Sequence, residues 1–410
     1  MNPFGASRGS MMNTGAWILA ALAGPWLAFA QETSSQQILE GLNDAVRAAE
    51  VEGGPNSRDM IQPLSALGVV YREQGEPALA FGALEQALHL VRFNYGLFSL
   101  EQAPLIRQQI ATAESLGDHL TAWKLERGLL KLGRRHPDDL RTAQILSDTA
   151  DRRMEMLAKY DAGQSQPEVV YGCYYSGPHV IKDTIAPARE CMSGSAGAVR
   201  LAFATEARYY YEHAVDIMLR NKSYSSELPR LLKALVVIGY QYDDPESGRR
   251  SLNYLLAYQA SNSAPWRDRI DTLVQIADWD LLHAVGLDEE NRALAEYADA
   301  YELLRRKGVE EPSIRELFAP DTPVALPVFM PNPLAADDKD EVSGHIDAAF
   351  EVDKYGRSHR VQILDATDEA TRAAERHVQH LILERRFRPR LIDGRVADRD
   401  RVVIRYSLSD

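Results

Sequence analysis

Helical periodicity runs from Gln36 to about Gly308, punctuated at turns by Gly, Asp and Pro, and constrains the fold more than any other feature. Strand-like alternation is almost absent over that span. In PLSALGVVYREQGEPALAFGALEQALHLV, Leu64, Leu67, Gly68 and Tyr71 mark one helix, Gly75 the turn, and Ala80, Leu84 and Ala87 the next. Small residues at these positions let two antiparallel helices approach closely, while the large ones fill the groove between them. The pattern predicts an array of helical hairpins.

The spacing recurs along the chain. Gly117 and Ala122 each stand 42 positions after Gly75 and Ala80. Ala207, Tyr211 and Ala214 keep a small-x3-aromatic-x2-small spacing, as do Ala293, Tyr297 and Ala300, and Gly248, Leu252 and Leu255 form a degenerate copy. With Leu67, Gly68, Tyr71, Gly75, Ala80 and Ala87, these residues resemble the tetratricopeptide repeat, in a form with a longer period, over about two thirds of the chain. That resemblance implies a solenoid whose concave surface takes a protein or peptide. From Ala122 to Ala207 is 85 residues, about two periods, so the helical segment Asp138 to Tyr160 and a cysteine-containing loop stand in for one unit.

The N-terminus reads as an export signal. Arg8 is the only charge before the apolar run Gly15 to Leu27, and Ala28-Phe29-Ala30 then precedes polar residues, a small-x-small cleavage pattern. The run is shorter than the roughly 20 apolar residues of a membrane span, and Gly24-Pro25 interrupts it. The expectation is a signal peptide over residues 1–30, cleavage after Ala30, and a chain free in the periplasm without a stable membrane span; retention as an inner-membrane anchor is the alternative. Cys173 and Cys191 are the only cysteines, and export makes a disulfide between them the leading expectation, two unrelated thiols being the other. A formal net charge of −13 argues against nucleic acid as a partner.

After Lys307 the composition changes to repeated Pro and then an acidic run, which reads as a linker over 309–342 between a helical domain, 31–308, and a C-terminal domain, 343–410. Alternation appears only there. Ile346, Ala348, Phe350 and Val352 share one strand face, Asp353 to Arg357 make a turn, and Val361 and Ile363 lie on a second strand. Asp368 to Arg385 reads as an amphipathic helix with Ala370, Ala374, Val378 and Leu381 on one stripe. Arg401 to Ser409 is a last strand, with Val402, Ile404, Tyr406 and Leu408 on one face and Arg401, Val403 and Arg405 on the other. The predicted class is α+β and mostly α, ending in a small β-β-α-β domain.

That order, with HIDAAFEVDKYGR, RRFRPRLIDGRV and VVIRYSL, resembles the C-terminal domain of TonB and its relatives, where an aromatic-x-Pro segment follows the helix; Phe387, Arg388 and Pro389 stand in that place. The resemblance implies a last strand at a sheet edge that receives an extended peptide from an outer-membrane receptor. Val402, Val403, Ile404, Arg405 and Tyr406, with Arg386, Phe387, Arg388 and Pro389, are therefore the expected partner-binding residues. The Tyr-Pro and short helix that usually precede the first strand are missing, as is a long Pro-rich spacer.

No phosphate loop, nucleophile elbow or HExxH helix is present. His377 and His380 lie at i and i+3 on the C-terminal helix without a third ligand beside them, and read as a solvated face. No catalytic residue, cofactor or metal site is expected. Residues 341–410 carry 13 acidic and 13 basic residues, so the negative charge lies in the preceding domain, and Arg385, Arg386, Arg388 and Arg390 form a basic cluster for an acidic partner or a charged rim. The expected function is a non-catalytic periplasmic adaptor binding envelope proteins or peptides, accessory to TonB-dependent outer-membrane transport; the alternative is an anchored, divergent energy transducer.

Overall fold

The computed structural model describes residues 36–163, 169–171, 185–187, 196–222, 226–318, 322–328, 344–367 and 372–408. The expected signal segment with its Ala30 cleavage site, and the Cys173–Cys191 pairing, lie outside the described residues. The protein is mostly helical, with a small antiparallel sheet near its C-terminus. Its contacts define two compact units, Met1–Ile145 with Gln166–Cys191, and Leu146–Ser165 with Met192–Asp410.

The first unit contains α1 (36–53), α2 (Ile61–Glu73), α3 (Pro77–Tyr95), α4 (Ala103–Ser115), α5 (His119–Gly133) and the start of α6 (Leu140–Asp161). Helix α2 pairs with α3 and α4 with α5, and α2 also touches α4. Both hairpins turn through a left-handed glycine, Gly75 at φ 76° and Gly117 at φ 70°. The residue after each glycine donates back to the preceding helix, Glu76 to Tyr71 O at 2.8 Å and Asp118 to Ala113 O at 2.9 Å, which satisfies an otherwise orphaned carbonyl. Leu67, Ala80, Leu84, Ala87 and Ala122 are buried, and Tyr71 packs against them half-buried. A Cβ on Gly68 would lie 2.5 Å from Leu84 Cγ, so the close helix approach anticipated there is physical. Two short strands, β1 (Val169–Tyr171) and β2 (Ile185–Pro187), pair antiparallel in this unit, an addition to the expected cysteine-containing loop.

In the second unit the rest of α6 is followed by α7 (Ala196–Arg220), α8 (Glu227–Gln241), α9 (Pro245–Ser261), α10 (Trp266–Leu282), α11 (Leu287–Arg306) and α12 (Glu311–Phe318). Helices α7 to α11 pack each on the next. Ala207, Tyr211 and Ala214 are buried on α7, Leu252 and Leu255 on α9, and Ala293, Tyr297 and Ala300 on α11. Helix α12 corrects the expected linker. Ile314 and Phe318, one turn apart, give it an apolar face that joins Tyr297, Tyr301 and Leu326 in one core, and Pro312 sits in the first turn, where proline is tolerated.

The C-terminal segment forms β3 (Gly344–Val352), β4 (Ser358–Ala366), α13 (Arg372–Glu384), β5 (Arg390–Ile392), β6 (Arg395–Ala397) and β7 (Arg399–Leu408). The sheet order is β4-β3-β7, antiparallel throughout. Hairpin β5–β6 is an addition to the expected strand-strand-helix-strand order, closed by Asp393 and Gly394, both at positive φ. Ile346, Ala348, Phe350 and Val352 form one buried face with Val378 and Ile382 of α13 and with Phe387. In the β3–β4 turn a Cβ on Gly356 would lie 2.0 Å from Phe387 O, and Phe387 N–H donates to Gly356 O at 2.8 Å.

Candidate functional site

Strand β7 lies at the sheet edge, paired with β3 on one side and with no strand on the other among the described residues. Its side chains alternate as expected: Val402, Ile404 and Tyr406 are half-buried, while Arg401, Val403 and Arg405 are exposed. The backbone direction follows from β3. His345 O accepts from Thr367 N–H at 3.0 Å and His345 N–H donates to Thr367 Oγ1 at 3.1 Å, so the His345 backbone faces β4. Successive residues alternate, hence Ile346 and Ala348 face β7. Ala348 pairs with Ile404 and Ala349 with Val403, so Ile404 N–H points into the sheet and Val403 N–H points away from it. The β3–β7 register is continuous from Gly344 to Phe350, whereas β4, the other edge, is interrupted by two register shifts and by Arg360 at φ 53°. Bulges of that kind protect an edge from pairing.

The other expected partner-binding residues turn inward. Phe387 is 1% exposed, its ring 5.3 Å from that of Phe350, and Pro389 is buried. Arg388 grips both oxygens of Asp278, at 2.9 and 2.6 Å, and Tyr297 Oη donates to the same carboxylate at 2.5 Å. Burial works against the Arg388 cation, but Asp278 outweighs it and keeps the guanidinium charged. Arg386 and Arg357 converge on Glu290, whose side chain is almost fully buried. Two of the four arginines read as a basic cluster, Arg386 and Arg388, are therefore held by carboxylates of α11 and α10.

An equivalent arrangement occurs earlier in the array. Tyr211 Oη donates to Asp151 Oδ1 at 2.6 Å, and Arg230 grips both Asp151 oxygens at 2.7 and 3.0 Å. There the arginine comes from α8, the next helix of the array; at Tyr297 it comes from the segment between α13 and β5. The guanidinium that the next helix supplies beside Tyr211 is thus supplied beside Tyr297 by the segment between α13 and β5.

Helices α9, α10 and α11 also line a cleft of about 870 Å³. On its wall Arg249 donates to Asp280 at 2.7 Å, to Asn253 Oδ1 at 2.6 Å and to Glu296 Oε1 at 3.2 Å. Glu296 Oε2 is buried and meets no donor. Two carboxylates share one guanidinium, and burial together with the Asp280 charge pushes the Glu296 pKa up to about 7, against the pull of Arg249. A proton on Glu296 relieves both the repulsion and the missing donor. Residues 249, 280 and 296 are too far apart in sequence for local reading to join them; a surplus of charged residues on helices with a buried face was the one signal available.

His345, Asp347 and Asp365 bring three metal-capable atoms within 4.8 Å of one another, although no metal site is apparent from the sequence. Arg405 already binds both Asp347 oxygens at 2.8 Å and lowers that carboxyl's pKa, so a cation would have to displace it. His377 and His380 are both exposed on α13. No protein-family model matches the chain, and no curated protein does. Among the described residues no helix is long and apolar enough to cross a membrane.

Proposed function

We propose that the protein is a non-catalytic adaptor of the periplasm, in which a tetratricopeptide-like helical scaffold carries a TonB-like sheet that takes up an extended segment of an envelope partner along β7. The observation that carries the reading is the β7 edge, regular from Val402 to Leu408 and with no strand on its outer side among the described residues, with Val403, Arg405 and Ser407 directing backbone groups outward by alternation. An extended peptide adding there satisfies that row of donors and acceptors, and the exposed side chains set preference. The sequence resemblance points to a TonB-dependent outer-membrane transporter as the partner. The contacts of Arg388 with Asp278 and of Arg386 and Arg357 with Glu290 favour an adaptor over a transducer that works as a free arm.

The test is a photo-crosslinking residue placed at Val403 and, separately, at Leu364, which is exposed on β4. Adducts with an outer-membrane transporter are expected from position 403 and not from 364. Equal yields from both, or no transporter adduct from 403 in correctly folded protein, contradict the reading.

A further inference from the structure

The end of α3 and the turn after it carry an unusual concentration of exposed apolar side chains. Phe93 is 63% exposed, Tyr95 50%, Leu97 61% and Phe98 48%, all within six consecutive residues turning at Gly96, which has φ 99°. Basic residues adjoin this tip. The Arg135 guanidinium lies 3.7 Å from the Phe98 ring centre, and His136 Nε2 is 2.7 Å from Phe98 O. Lys131, Arg134 and Arg135 are exposed on the last turn of α5 and just beyond it.

We propose that this turn is a membrane-contact loop, in which Phe93, Tyr95, Leu97 and Phe98 enter the interfacial region of an anionic phospholipid surface while Lys131, Arg134 and Arg135 meet its headgroups. Large aromatic and aliphatic side chains with cations at their base match the polarity gradient of a bilayer interface. A protein partner fits the feature less well. A stable protein interface covers about 800 Å² per side and needs a complementary shape, whereas a six-residue protrusion gains from a fluid apolar layer without either. The basic residues stand out in a chain of net charge −13, which long-range repulsion would otherwise keep away from anionic lipid.

Sedimentation with vesicles of phosphatidylcholine alone, and of phosphatidylcholine with one quarter phosphatidylglycerol, tests this on the full chain. Binding to the anionic vesicles is expected, weakened by salt. Phe93→Ser with Leu97→Ser should weaken it roughly tenfold, and Arg134→Glu with Arg135→Glu should remove the preference for anionic lipid. Wild type and variants share every other apolar segment, so the difference reads this loop alone. These positions are exposed, and circular dichroism checks that each variant keeps its helices. Equal vesicle binding by wild type and the Ser variant overturns the proposal. So does self-association that the Ser variant abolishes in the absence of any vesicle binding.

Discussion

At the residue scale, Glu296 links the structure to pH. Its carboxyl has an ordinary value of 4.5, and in the cleft it is raised to about 7 by burial and by Asp280. The folded chain therefore holds this proton more tightly than the unfolded chain does. The stability it contributes is complete below about pH 4.5 and is lost as pH rises towards about 7, because the unfolded form releases its proton first. Glu296→Gln keeps the shape and removes the titration. Relative to that variant, the wild-type melting temperature should fall between about pH 5 and about pH 8 in fluorimetric unfolding. Parallel curves for the two proteins would mean that Glu296 is already ionised at the acid end.

At the level of elements, what could be read from the sequence was whatever is periodic or local. Val402, Ile404 and Tyr406 betray β7 because a half-buried strand repeats every two residues, and Gly75 and Gly117 betray the hairpins because few other residues turn left-handed cheaply. Ile314 and Phe318 escaped notice, since two apolar residues among prolines are too few to show a period. The inward turn of Arg388 was also hidden. Its partner Asp278 lies 110 residues away, and nothing near position 388 distinguishes a clamp from a surface charge. The clamp has a measurable consequence. Arg388→Met strands Asp278 as a buried charge and should cost about 3–5 kcal/mol in urea unfolding followed by tryptophan fluorescence. Arg357→Met, at a half-exposed position whose carboxylate keeps Arg386, should cost under about 1 kcal/mol. Equal small losses would mean that the C-terminal segment is not held by this pair.

Within the second unit, the helical array and the sheet divide the work. The array supplies Asp278 and Glu290 as anchors, the segment between α13 and β5 closes on them, and β7 remains with its outer side unpaired. Arg386 and Arg388 belong to that closure and Phe387 and Pro389 are buried, so of the residues expected to meet a partner it is those of the edge strand that stay open. The register of β7 turns this into a paired substitution test. Ile404→Pro removes a ladder donor and should destabilise the sheet by about 2 kcal/mol or more. Val403→Pro removes only an outward donor, so it should stay folded, within about 1 kcal/mol of wild type, and lose capture of the transporter segment. If both variants unfold, or if Val403→Pro captures the segment as well as wild type does, β7 is not the strand that receives a partner.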